Sequence, residues 1–210
     1  VAQPAVPAAK LAPAPVAVAA VAPPPPEKAV IESLPAAKPV SDYEAFTRVE
    51  STRLDFMGQF RSYASVDDVF NQLEKGGFAP ALTSNHRKVP EEFPPYHLDR
   101  IDVREYKHLG APGQLTMQFF NDRLFEAEFE PEDADAYHGA FQRKYPSLRP
   151  NKIGRAELLN GYLRMASSLD LAVSDVGRTL HTRPFALWQD RRLVVQRDGW
   201  DARYAKELSR

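Results

Sequence analysis

Four side chains in the stretch "HLDRIDVREYKH", residues 97–108, have the chemistry of an acid–base or metal site: His97, Asp99, Asp102 and His108. Imidazole exchanges protons near neutral pH and ligates zinc, and a neighbouring carboxylate fixes its tautomer. A hydrolase-like enzyme with a site near His97, Asp99 and His108 is therefore the catalytic reading open to this sequence. Two considerations weigh against it. Zinc needs about four ligands in a tetrahedron, and nothing in the spacing brings the two histidines together. The motifs that would supply a nucleophile, a phosphate cradle or a ligand set (G-x-S-x-G, a Walker loop, H-E-x-x-H, an EF-hand loop) do not occur. No catalytic, metal-binding or cofactor-binding residue is assigned, and no cofactor is expected.

Other groups have structural explanations. Glu132, Asp133 and Asp135 sit where the positive end of a helix dipole draws negative charge. Trp188 and Trp200 have the rings of a glycan-stacking platform; packing is the preferred reading, and a glycan-binding module is kept as an alternative. With 27 basic against 28 acidic side chains, formal net charge −1, the chain as a whole has no electrostatic pull on nucleic acid. The local basic stretch "SLRPNKIGR" holds no aromatic residue for base stacking and reads as a solvated loop. The absence of cysteine removes disulfides, thiolate metal sites and a cysteine nucleophile.

The elements that would position such groups begin late in the chain. All 20 Phe and Tyr residues and both Trp lie at or after Tyr43, whereas residues 1–42 hold ten of the 19 prolines. A segment with nothing large to bury cannot offset the entropy of ordering, so 1–42 is expected to be a disordered Ala/Pro-rich tether. Residues 43–210 then make a single globular domain. Runs such as "VAPPPPEK" resemble the spacers of bacterial envelope proteins and of multidomain acyltransferases. The apolar run "VAVAAVA" is far shorter than the roughly 20 residues a membrane span requires. The chain opens at Val1 and shows no signal-peptide pattern, so an upstream signal or membrane anchor is expected to have been removed.

Within the folded part, "SVDDVFNQLEKGGF" carries the clearest helix signals. Ser65 is an N-cap, Val66, Val69, Phe70 and Leu73 form a stripe, and Gly76-Gly77 is the stop. This segment resembles the first helix of small periplasmic lipoprotein domains that pack helices against an antiparallel sheet. The resemblance implies that architecture and supplies no site residue.

Upstream, "RLDFMGQF" suits a strand, with a helix starting near Ser41 as the alternative. Prolines in "APALTSNHRKVPEEFPPY", residues 79–96, predict a long irregular connection, a candidate recognition loop. Residues 97–106 alternate as a strand. "GQLTMQFFNDRLFEAEFEP" reads as a hairpin. Parity favours a three-residue loop, Asn121-Asp122-Arg123, because it gathers Leu115, Met117, Phe119, Phe125, Ala127 and Phe129 on one face. Gln118 and Glu126 then face water.

A helix follows from Pro131, with Ala134, Tyr137, Phe141 and Tyr145 as its stripe. Residues 157–173 fit strand or helix; the persistent alternation favours a strand, followed by a turn at "SDVG". "FALWQDRRLVVQ" reads as a second hairpin, and "DGWDARYAKEL" as a closing helix with Trp200, Tyr204 and Leu208 on one face. The fold class predicted is α+β: an antiparallel sheet of about five or six strands with helices packed on one face.

The function expected is a non-catalytic interaction or assembly domain of the bacterial envelope, in the periplasm, with a protein partner there. Replacing the helix cap tests the first element directly. Ser65→Ala is expected to cost about 0.5–2 kcal/mol, read as a lower urea midpoint. An unchanged midpoint would place the helix start elsewhere.

Overall fold

A computed structural model of the chain describes residues 42–152, 154–169, 172–175, 178–181 and 183–208. The Ala/Pro-rich tether lies outside these residues, except that Asp42 belongs to the first helix. In chain order the elements are α1 (Asp42–Thr47), β1 (Asp55–Phe56), β2 (Phe60–Arg61), α2 (Val66–Lys75), β3 (Ala81–His86), β4 (His97–His108), β5 (Ala111–Phe120) and β6 (Leu124–Pro131). They continue with α3 (Ala134–Lys144), β7 (Arg155–Asn160), β8 (Leu163–Ser168), β9 (Ala172–Asp175), β10 (Arg178–His181), β11 (Phe185–Asp190) and α4 (Arg191–Leu208).

Seven strands form one antiparallel sheet in the order β3-β4-β5-β6-β11-β8-β7. The pairs β1–β2 and β9–β10 stand as separate two-stranded ribbons. The chain is therefore α+β with an antiparallel sheet, as its sequence predicts.

The width of the sheet comes from strands that the apolar pattern does not mark. β3 lies inside the stretch expected to be irregular. All six of its residues are exposed, so it has no alternation to read. It forms because it pairs the outer backbone groups of β4 from Ala81↔Asp102 to His86↔His97. The single strand expected within 157–173 is instead the hairpin β7–β8, with Asn160 opposite Leu163 and Gly161 at φ +58 in the turn. The residues of the "SDVG" turn at 176–177 fall outside those described.

"FALWQDRRLVVQ" is not a hairpin: β11 runs straight into α4 at Arg191. The buried Asp190 carboxylate accepts from the Arg192 backbone N–H at 3.0 Å and so closes the first helical turn. Leu193, Trp200 and Tyr204 share the buried stripe of this helix, a period that overrides the β-branched pair Val194-Val195. Pro131 ends β6, and the cap of α3 is Asp133, whose side chain accepts from Ala136 N–H at 2.9 Å. The α2 cap is as read: Ser65 Oγ accepts from Asp68 N–H at 3.1 Å, and Gly77 takes φ +82 just past the helix.

The β5–β6 hairpin satisfies two demands that look incompatible. Asn121 and Asp122 have φ +49 and +59, and Phe120 and Arg123 exchange both backbone hydrogen bonds, so the loop has two residues. The register then shifts. Phe119 lies opposite Leu124 but Gln118 lies opposite Glu126, which leaves Phe125 as the extra residue of a β-bulge. The bulge restores the parity that the apolar pattern requires from Gln118 onward. It also corrects the expected pairing of Phe119 with Phe125. Phe119 and Leu124 enter the main core under α2 and α3, with Leu115, Met117, Ala127 and Phe129. Phe125 joins Phe120 in a second cluster with Phe46 of α1 and with Leu193, Trp200 and Tyr204 of α4.

The Asn-Asp-Arg tip is the joint between these layers. Asn121 accepts from His97 N–H at 2.8 Å and donates to the carbonyls of Phe46 and Pro95. Asp122 accepts from Val66 N–H at 2.8 Å, at the start of α2. Arg123 is buried, and its guanidinium donates to the carbonyls of Phe120, Phe46 and Arg48 and to the Gln196 side chain of α4. Burial lowers its pKa to about 10, which still leaves it charged at neutral pH.

Arg123→Ala should therefore cost about 3–5 kcal/mol, because it empties the volume of a large buried side chain and removes at once its bonds to the Phe120, Phe46 and Arg48 carbonyls and to Gln196. Arg123→Lys should recover only part of this, since an ammonium cannot span the same fan of acceptors. Urea unfolding of the two variants is the check; a loss below 1 kcal/mol for Ala would remove the tip from its central place.

Candidate functional site

The residues nominated by the sequence do not meet. His97 and His108 occupy opposite ends of β4, which at about 3.3 Å per residue separates them by roughly 35 Å. His108 is buried beside Phe129, Tyr137 and Trp188, and its Nδ1 shares a 2.7 Å hydrogen bond with the Tyr137 hydroxyl. Burial pushes its pKa down to about 4, with the Lys144 charge acting the same way, so the ring is neutral at pH 7. Its Nε2 has no partner among the described residues. Asp102 is held by Arg100 and by the Thr116 hydroxyl.

The structure gives His97 a different companion. His86 lies directly across from it on β3, and the two rings stack with centroids 4.1 Å apart. His86 Nε2 is 2.8 Å from Oδ1 of Asp99, a carboxylate only 8% exposed. Burial, then the neighbouring His86, lowers the pKa of His97, against the pull of Asp99. His86 escapes a sequence reading because only the β3–β4 register brings it here. The arrangement can hold and orient an imidazole. Among the described residues no three His, Asp, Glu or Cys side chains are placed to hold a metal ion.

A second polar cluster crosses the opposite face of the sheet. Glu126 accepts from the side-chain amides of Gln118 and Gln189, and Arg164 donates to Gln189 at 3.4 Å and to Glu157 at 2.7 Å. Burial raises the Glu126 pKa, with Gln189 opposing. Each Glu126 carboxylate oxygen accepts from an amide, and this chain of bonds ties β5, β6, β11, β8 and β7 together. The tryptophans offer no platform for sugars either. Trp188 lies in the main core and Trp200 in the second cluster, where its Nε1 donates to Pro94 O at 2.9 Å.

What remains open is the β3 edge. "ALTSNH" carries no charged side chain other than a titratable His86, no proline and no bulge, and its outer side has no strand partner among the described residues. Natural sheets usually protect such an edge with lysine, proline or a covering loop. Beside the start of β3 lies a groove of about 670 Å³ bordered by Phe78, Ala81, Arg100, Asp102 and Arg104. The far edge of the sheet differs: β7 carries Arg155 and Glu157. The sequence matches no protein-family model, and no curated protein is significantly similar to it.

The buried histidine yields a pH prediction. The folded-state pKa of His108 lies below the unfolded value, so the unfolded chain takes the proton first. Its contribution to stability should be constant above about pH 6.5 and fall as the pH drops from there toward 4, by up to about 3 kcal/mol. Urea midpoints between pH 4 and 7 should flatten in His108→Leu relative to the wild type. Equal acid slopes would assign the loss to other groups.

Proposed function

We propose that this chain is a non-catalytic interaction or assembly domain of the bacterial envelope, carried in the periplasm on its Ala/Pro-rich segment. One observation carries the reading: the sheet ends in a strand whose six residues are all exposed and whose outer backbone groups have no strand partner among the described residues. An extended segment of a protein partner added there would gain main-chain hydrogen bonds along its length, with alternate side chains meeting the groove beside Phe78 and Arg100. The setting is supported by composition. A proline-rich segment of this kind gives reach between an anchor and a partner, and a chain without cysteine tolerates an oxidising compartment.

In an edge strand alternate residues direct their N–H toward the neighbouring strand and away from it. Single proline substitutions at Leu82, Thr83, Ser84 and Asn85 will therefore fall into two classes. The class that removes outward N–H groups should abolish capture of a partner by the full chain from envelope extracts while leaving the thermal midpoint within a few degrees. Undiminished capture by all four folded variants would overturn the reading.

A further inference from the structure

We propose that the strand β3 pairs with β3 of a second copy of this chain, antiparallel, about a two-fold axis through Thr83. The inference rests on the proposed role of this edge as an interaction site and names what occupies it.

Identical strands suit one another only if they carry no like charges into contact. Residues 81–86 contain no Asp, Glu, Lys or Arg, so two copies meet without repulsion between acidic or basic side chains, whereas on β7 the outcome depends on how Arg155 and Glu157 fall. His86 is the one titratable group on β3, and the groups facing it are His97 and Asp99 of β4, with Asp99 hydrogen-bonded to it. It lies at the strand's end, away from the axis.

Symmetry fixes the rest. An antiparallel pair of identical strands has its two-fold axis perpendicular to the sheet, so residues of equal parity face each other and each face continues unbroken. An axis through Thr83 sets Thr83 against Thr83, Leu82 against Ser84 and Ala81 against Asn85. Threonine pairs and threonine–serine neighbours are among the favourable cross-strand combinations. This register also makes the two Leu82 side chains diagonal neighbours on one face. Leu82 is 47% exposed in the single chain, so the pairing removes apolar surface at its centre. An axis through Ser84 would leave the two leucines far apart. A contact of six residues a side is much smaller than the roughly 800 Å² per partner of an ordinary interface, so the association is weak and responds to local concentration.

Charge exchange at the axis tests this. Sedimentation of the full chain from about 10 µM to about 1 mM should show the mean mass rising toward that of two chains, at the concentrations a small interface needs. Thr83→Lys and Thr83→Glu, both at an exposed position, should each stay monomeric and melt like the wild type. Mixed one to one, they should associate again at least tenfold more tightly than either alone. A wild type that remains monomeric throughout, a dimer indifferent to Lys at 83, or a mixture that does not recover would each overturn self-pairing. The two proposals separate cleanly. A monomeric chain whose outward proline variants still lose an envelope partner would reject the second copy and keep the edge as a docking site for a foreign strand.

Discussion

A buried cation governs the arrangement of this fold. Arg123 has no carboxylate among the hydrogen-bond acceptors that hold it; backbone oxygens and one amide take that place. Two of those oxygens, on Phe46 and Arg48, lie at the end of α1, where unsatisfied carbonyls concentrate negative partial charge. A guanidinium in the interior is tolerable only while these acceptors stay in place. The position of α1, the position of α4 and the conformation of the β5–β6 turn are thus set together. Asn121 and Asp122 extend the same joint to the start of β4 and the start of α2.

The sheet consequently serves two interiors. One lies under α2 and α3 along its length, and a second is confined to the turn end under α1 and α4. The bulge at Phe125 lets the returning strand feed both: Leu124 joins the main core and its neighbour Phe125 the second cluster, while the strand still keeps Ala127 and Phe129 in the main core. Between the second cluster and the open end, the polar face is stitched by Gln118, Glu126, Gln189, Arg164 and Glu157. That row of polar contacts sits on a face that pattern reading treats simply as wet.

How much of this was legible follows from where burial leaves a mark. α2, α3, β4 and the two arms of the central hairpin each bury one face, and their periods of 3.6 or 2 are plain in the sequence. β3 buries neither face, so nothing distinguishes it from a loop; its existence is a demand of β4. The turn at Asn121-Asp122 and the parity of its flanks point to different loop lengths, and only a bulge reconciles them. The second half of α4, from Asp198, read as a helix; its first half was hidden by two valines that favour strands and by an aspartate that reads equally as a turn tip or a cap. At the site level, His97 and Asp99 were visible while His86 was not, because chemistry across strands depends on register. His108 shows the converse: a residue type suited to catalysis that the fold uses as a neutral core member.

The closing of the second cluster by α4 has a consequence for how the protein is made. Tyr204 reaches back across 162 residues to the Asp42 carboxylate, and Trp200 packs on Tyr96. Of the described elements, α4 leaves the ribosome last. Until it does, Tyr96, Phe120 and Phe125 lack the cover of Leu193, Trp200 and Tyr204, and Arg123 lacks one of its acceptors. The main core can assemble from β-strands already synthesised, but the end of the sheet that carries the turn must wait. A nascent or clipped chain lacking this helix would present a cluster of bare aromatic rings, the kind of surface that chaperones and quality-control proteases engage. Synthesis of α4 is thus built into the architecture as a condition for concealing these rings.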